Sequence, residues 1–344
     1  MNRDYWPTMG WRSEKPENLG MSSALLANLD QEIDARYKDI HSILIVRHGY
    51  LVFERYFKAY SHEDRHPVAS VTKSFISALV GIAIDRGFME GVQQPMLDFF
   101  PEYFPTEGDY LKKQITVQSL LTMTAGFQWR SGPRTNEQLI DRLRRSTNWV
   151  SFILGLKVQG QSFGKFQYNS GNTHLLSAII TRCTGRCAAE FAADHLFDPL
   201  GMDKPPEIEN QSFTQTDVFR NKSGGWPKDP QGNSIGGWGL ALKTRDLARF
   251  GFLYLNDGQW DDMQVIPQNW IADSIYPYTP EYGYQWWLRY VSGVFTFSAA
   301  GQGGNHVICV PQEDLVVVVT SKVNARWQDR WFLLEQYVFP ALTG

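Results

Sequence analysis

The sequence predicts an α+β fold: both chain ends build one antiparallel sheet, helices flank it, and a mostly helical region is inserted between the ends. Three observations lead there. Runs rich in β-branched and aromatic residues occur near the start, in "HSILIVRHGYLVFERYFKAY", and again near the end, in "VFTFSAAG", "NHVICVPQ" and "DLVVVVTSK". The long middle, from about Ser70 to about Tyr278, carries mainly helical spacing broken by Gly/Pro loops. The strand–helix alternation that a parallel sheet requires is missing. Residues 1–69 and 279–344 are therefore expected to form a sheet domain and 70–278 a helical one. The cleft between them is the expected place for a site.

Taken in order, "MSSALLANLDQEIDARY" offers Ser22 or Ser23 as a cap and apolar spacing suited to a helix lying on the sheet. Two strands follow, joined at His48-Gly49, a hairpin signature. "HPVASVTKSFISALVGIAIDRG" reads as a nearly all-apolar helix. Further helices are read in "ITVQSLLTMTAG", "NTHLLSAIITRCTG" and "LKTRDLARFGFLYLNDG", and a closing one in "RWQDRWFLLEQYVFPAL".

The 344 residues carry 33 basic and 36 acidic side chains, a net charge of −3, with no long run of either sign. That balance argues against a nucleic-acid or membrane-surface partner reached through a basic patch. No run approaches the roughly 18 apolar residues of a spanning helix. "MNRDYWPTMGWRSEKPENLG" lacks the apolar core of a signal peptide, so a cytoplasmic location is expected; an exported chain already stripped of its leader would read the same. Cys183, Cys187 and Cys309 have neither CxxC nor His-rich spacing, so they support no disulfide framework and no zinc site. They read as small buried residues.

The chemistry begins with a lysine in an awkward place. Lys73 falls in the first turn of the apolar helix, where burial and the helix dipole both disfavour its charge. It follows Ser70 in an S-x-x-K, and residues i and i+3 share a helix face, so hydroxyl and amine can meet. A lysine whose pKa is pushed down can accept the serine's proton. Taken alone the tetrapeptide fits equally a capping serine and a lysine reaching for water. Tyr168, Asn169 and Ser170 precede another apolar helix, and a phenol beside a lysine can shuttle a proton to a leaving group. "FSAAGQGGNHVICV" puts a Gly-rich bend, with Gly301 and Gly303, on an inner strand where backbone and substrate can approach. The Gln302 amide there, with the Ser70 amide, would make an oxyanion hole. Of the 12 Trp and 15 Tyr most must be core, but some, Trp238 among them, are expected to line an apolar cleft.

These residues give the chain a resemblance to the serine β-lactamase-related hydrolases: class C β-lactamases, DD-peptidases, lactamase-like esterases and aminohexanoate-dimer hydrolases. "ITVQSLLTMTAGF", "LFDPLGM" and "GGWGLALKTRDLARFGFLYLNDGQW" also resemble family segments, and the likeness runs from about "GWRSEKPENLGM" to "DLVVVVTS". It implies a β-lactamase-like fold and a small ester or amide substrate. The roles it implies are Ser70 as nucleophile, Lys73 as base, Tyr168 as proton relay, and substrate contacts from Ser170, Gly301, Gly303 and Trp238. It implies no metal and no organic cofactor. Ser170 stands where Tyr-x-Asn members carry asparagine, as in the aminohexanoate-dimer branch. Ala299-Ala300-Gly301 stands where many members carry Lys-Thr-Gly or His-x-Gly. The cation that meets a β-lactam or peptide carboxylate is thus expected to be missing. Ester or linear-amide hydrolysis is favoured over β-lactamase or DD-peptidase activity, with a non-catalytic binder on the same fold as the reading of another class.

A rival lies inside the sequence. Gly160-Gln161-Ser162-Phe163-Gly164 fits the G-x-S-x-G nucleophile elbow, which demands a strand before the serine and a helix directly after it. "GLKVQ" is a poor strand and "KFQYNSG" is irregular, so Ser162 is read as a turn residue. His306 is the histidine best placed to serve such a triad.

Overall fold

Side-chain alternation in the terminal segments decides the architecture. The computed structural model describes residues 3–103, 107–129, 137–208, 224–324 and 327–343. Ser22 caps helix α1 (Ser23–Arg36), its hydroxyl accepting from the Leu25 amide. Strands β1 (Ile40–Arg47) and β2 (Tyr50–Tyr56) are joined through His48 and Gly49. Both turn residues have positive φ, 51° and 87°, the twist a two-residue hairpin needs.

Helix α2 (Thr72–Asp85) begins after a 3-10 turn over Ala69–Val71, so Ser70 sits in that tighter turn just ahead of the α-helix. Helix α3 (Ser170–Thr184) is capped by Asn169 and stopped by Gly185 in the left-handed conformation. Helix α4 (Thr244–Leu255) matches the pattern of "LKTRDLARFGFLYLNDG". The expected helix in "ITVQSLLTMTAG" is only one turn and a half, Val117–Leu121, because Met123 turns left-handed at φ 60°.

Strand β3 (Trp287–Val291) had no place in the sequence reading; it pairs with β4 (Val294–Gly301), followed by β5 (Asn305–Val310) and β6 (Leu315–Ser321). The six strands run β2–β1–β6–β5–β4–β3, and every pairing is antiparallel. The first and last strands in sequence are thus hydrogen-bonded to each other inside the sheet.

Alternate residues feed two cores. Ile43, Ile45, Val317 and Val319 pack with Leu26, Leu29 and Ile33 of α1 and with Leu334 and Val338 near the carboxyl end. Leu44, Val46, Val316 and Val318 face the other way, onto Phe252 of α4 and the apolar body of α2 and α3. Burial on both faces is why these strands read as continuous apolar runs rather than alternating ones. The architecture is the α+β arrangement expected from the sequence, with one antiparallel sheet built from both chain ends. Cys187 and Cys309 are buried as expected, whereas Cys183 is half-exposed; all three are free thiols. No described helix is long and apolar enough to cross a membrane.

Candidate active site

The turn carrying Ser70 is held from two sides. Ala69 has φ 50°, a left-handed conformation that a non-glycine residue adopts at a cost of about 1–3 kcal/mol and keeps only where its surroundings enforce it. Here the Thr72 hydroxyl donates to the Ala69 carbonyl at 2.7 Å and accepts from the Leu240 amide at 3.3 Å. The Val68 amide donates to the Leu240 carbonyl at 3.0 Å. On the other side lies the end of β4. A Cβ on Gly301 would fall 2.3 Å from the Val68 carbonyl oxygen and 3.1 Å from the Ser70 nitrogen, so only glycine lets the strand come this close. Gln302 follows and lines the space in front of Ser70.

Lys73 is fully buried, and its amino group has three partners: Ser70 Oγ at 3.2 Å, Ser170 Oγ at 2.8 Å and the Gly237 carbonyl at 2.6 Å. Gly237 can bring its carbonyl there because it has no side chain; a Cβ would sit 2.7 Å from Ser170 Cβ. Behind Ser170 stands Glu137. Its carboxylate accepts from Ser170 Oγ at 2.5 Å, from the Ser170 amide at 2.7 Å and from Trp129 Nε1 at 2.5 Å.

This chain of bonds fixes directions. The Ser170 hydroxyl donates to the Glu137 carboxylate, so it accepts from Lys73. A carbonyl only accepts. Two Lys73 N–H bonds are therefore committed to Ser170 and Gly237. A neutral amine then turns its lone pair toward Ser70. Burial lowers the Lys73 pKa to about 8, while the Glu137 charge opposes that fall. Burial raises Glu137 above the ordinary carboxylate range, against the pull of Lys73 and its hydrogen-bond donors.

Tyr168 is buried and hydrogen-bonded to Ser70. Its ring lies 4.8 Å from Lys73 Nζ and stacks on Trp287 at 5.8 Å and 24°. Burial raises its pKa above the usual phenol value, with the Glu137 charge acting in the same direction, so it stays protonated.

Two pockets meet at Ser70 and Gln302. Ser170, Trp238, Gly237, Glu137 and Arg144 line one; Tyr168, Trp287, Gly301, His306 and Trp331 line the other. The structure thus brings Ser70, Lys73, Tyr168, Ser170, Gly301, Gln302 and Trp238 into one site. Gly303 instead belongs to the β4–β5 turn, where a Cβ would fall 2.3 Å from the Lys322 carbonyl oxygen, and lines neither pocket. Ser162 lies in a turn whose amide bonds back to Gln159, with neither a strand before it nor a helix after it. His306 lines the second pocket, but burial drops its pKa to about 3.

Sequence reasoning missed Glu137, Trp129, Gly237 and Arg144. Glu137 sits just ahead of a turn into the short helix Ile140–Arg145, with no spacing that ties it to Ser170, and Gly237 acts through its backbone carbonyl, which no side-chain pattern marks. Arg144 corrects part of the expectation about charge. Ala299-Ala300-Gly301 supplies no cation, and none lines the Tyr168 pocket among the described residues, yet Arg144 lines the other one. It is paired with Asp141 at 3.3 Å. Among the described residues no three His, Cys, Asp or Glu side chains are grouped to hold a metal ion.

A family model described as Beta-lactamase matches residues 30–336. The 6-aminohexanoate-dimer hydrolase of Paenarthrobacter ureafaciens is 25% identical over 352 residues, which cover 92% of this chain and 80% of that protein. A Bacillus anthracis structure provisionally described as a 6-aminohexanoate-dimer hydrolase superposes with a TM-score of 0.74 at 20% identity, over 98% of this chain and 87% of that one. A family VIII carboxylesterase gives 0.68 at 16% identity, over 93% and 98%. The likeness to these two structures shows the fold.

Proposed function

This chain belongs to the beta-lactamase family of serine hydrolases, and from that premise we propose that it cleaves carboxylic esters, and linear amides more slowly, through an acyl-enzyme on Ser70. The observation that carries the reading is the commitment of two Lys73 N–H bonds to Ser170 and Gly237, which leaves the lone pair of the neutral amine facing Ser70 Oγ. Lys73 takes the serine proton as Oγ attacks the carbonyl carbon. The amides of Ser70 and Gln302 hold the oxyanion. Tyr168, kept as a phenol, gives its proton to the departing alcohol or amine and is reset by the proton held on Lys73. Water then attacks the acyl-enzyme by the same route and releases the acid.

Names borne by relatives, an aminohexanoate-dimer hydrolase and a carboxylesterase, support the ester and amide classes. β-Lactamase or DD-peptidase action is the second reading. The Tyr168 side of the site gives it less support: the one charged residue lining that pocket among the described residues is Asp329. A carboxylate on the substrate would forgo a charge-assisted contact of about 1.5–3 kcal/mol there. The test is kcat/KM for a 4-nitrophenyl acyl ester and a chromogenic cephalosporin on one preparation, with fluorophosphonate labelling mapped to Ser70. The ester should win by about tenfold or more. A faster cephalosporin would show that another residue meets the carboxylate, with Arg144, which lines the other pocket, as the first to test.

A further inference from the structure

The two pockets that meet at Ser70 differ in size and in what lies beyond them. The one lined by Ser170, Trp238 and Arg144 is the tighter, with a volume of about 40 Å³. The one lined by Tyr168 and Trp287 has about 210 Å³ and does not end there. Trp287, Ala300, His306 and Trp331 also line a groove of about 990 Å³ that continues along β3 and β4. Its walls are aromatic. Tyr290 is 72% exposed, a large apolar ring left facing solvent, and packs 5.6 Å from Phe295. Arg289 lies 5.0 Å over the Trp331 ring, and Glu281 lines the same groove, so the two charges balance. Asp329 stands at the neck.

We propose that the enzyme is shaped for a short acyl group and a long, apolar or aromatic leaving group that lies in this groove. The inference rests on the roles given above to Ser70 and Tyr168. Tyr168 protonates the leaving atom, and Tyr168 lines the large pocket and not the small one, so the leaving group departs on that side. The acyl group is then left in the small pocket. For a substrate R–CO–X–R′, the Ser70 Oγ–carbon bond forms and the carbon–X bond breaks. HX–R′ leaves through the groove with the tyrosine's proton, and water later yields R–COOH. Aromatic walls favour an extended apolar R′ through area and ring stacking. Asp329 at the neck disfavours an anionic one.

Two substrate series test this on the intact enzyme. In 4-nitrophenyl esters lengthened from acetyl to octanoyl, kcat/KM should fall by about tenfold or more, since a pocket this small rejects added methylenes. In acetate esters lengthened from ethyl to 4-phenylbutyl alcohol, kcat/KM should rise by about tenfold. Tyr290→Ala, at an exposed position where folding is retained, should cut that rise to about threefold or less. An octanoyl ester cleaved as fast as acetyl, or a phenylbutyl acetate no better than ethyl acetate, overturns the inference while Ser70 labelling leaves the acyl-enzyme reading standing. No label on Ser70 and no turnover in either series removes both.

Discussion

Two buried groups of basic nitrogens in this molecule have opposite prospects. Lys73 faces three oxygen partners, with the Glu137 carboxylate behind one of them. His41 and His66 face each other, Nδ1 to Nδ1 at 3.2 Å, with the Tyr60 ring stacked on His41 at 4.0 Å. Burial lowers the pKa in both places. It takes Lys73 to about 8, where the Glu137 charge opposes the fall. It takes His41 to about 3, with His66, Lys58 and Lys322 pushing the same way, and His66 to about 4, where Asp64 alone opposes. An ordinary lysine starts near 10.5 and an ordinary histidine near 6.5, so a comparable fall leaves Lys73 near the working range and the histidines too weak to accept a proton at neutral pH. The buried Glu137 charge, one hydroxyl away, limits the fall at Lys73.

The largest effect should come from removing the nucleophile or its base. Ser70→Ala should lower kcat by about a thousandfold or more while the fold survives. Lys73→Arg keeps the charge but cannot give up its proton, so it should be nearly as damaging as Lys73→Ala. In the wild type, kcat/KM should rise with pH through a group near 8, because Lys73 is the base only when neutral. A Lys73→Arg enzyme with most of its activity would show that charge alone is needed. The comparison with the histidines would then lose its meaning.

Tyr168 comes next. It is buried and neutral, as the histidines are, yet it is useful because its task is to donate. Tyr168→Phe should cost about a hundredfold or more on an alkyl ester or an amide, whose leaving atom needs a proton. On a nitrophenyl ester, whose leaving group departs as an anion, the loss should be about tenfold or less. Equal losses on both substrates would assign Tyr168 to positioning Ser70 instead.

The contrast between local and distant partners also explains what the sequence discloses. Ser70 and Lys73 can be paired on paper because helix geometry alone brings i and i+3 together. The His48-Gly49 hairpin and the Gly185 stop are legible for the same reason, since each is a local conformational demand. Tyr168 and Ser170 needed the family resemblance, because nothing nearby says that α3 begins against α2. Glu137 is 33 residues from the Ser170 it holds, and Gly237 is 164 residues from Lys73. Neither has a spacing that could announce it. β3 was missed because "WLRYV" follows "YGYQW" without a break in aromatic character, and its pairing with β4 appears only in three dimensions.

Glu137→Gln converts the first environment toward the second. Without the carboxylate the ammonium form of Lys73 loses its support, so its pKa falls and the acid limb of the kcat/KM profile moves to lower pH. The amide also presents N–H groups to donors that expect acceptors, at the Ser170 hydroxyl, the Ser170 amide and Trp129 Nε1. Stability should drop by about 1–3 kcal/mol. Activity at its new optimum should fall by about tenfold, because Ser170 no longer holds a fixed orientation toward Lys73. The limb position separates the two effects: a merely loosened fold lowers the plateau and leaves the limb where it was.

The smallest effect should come from the histidine pair, and it should appear in stability rather than rate. His41 and His66 have folded-state pKa values below the roughly 6.5 of an unfolded histidine. Between those values the unfolded chain binds more protons than the folded one. Stability is therefore full above pH about 6.5 and is lost as pH falls toward the folded values near 3 and 4. Buried His306, lowered to about 3, contributes to the same decline and stays as background. His41→Phe keeps a ring against Tyr60 and removes one titrating group. Each proton removed from the difference lowers the slope by about 1.4 kcal/mol per pH unit at most. Unfolding free energies measured between pH 6.5 and 4 should thus decline less steeply in the variant. Its kcat/KM at pH 8 should stay within about twofold of wild type, since no His41 nitrogen reaches the site. An unchanged slope would mean that the pair titrates normally in the folded protein. Burial would then not have lowered these histidines as it lowers Lys73.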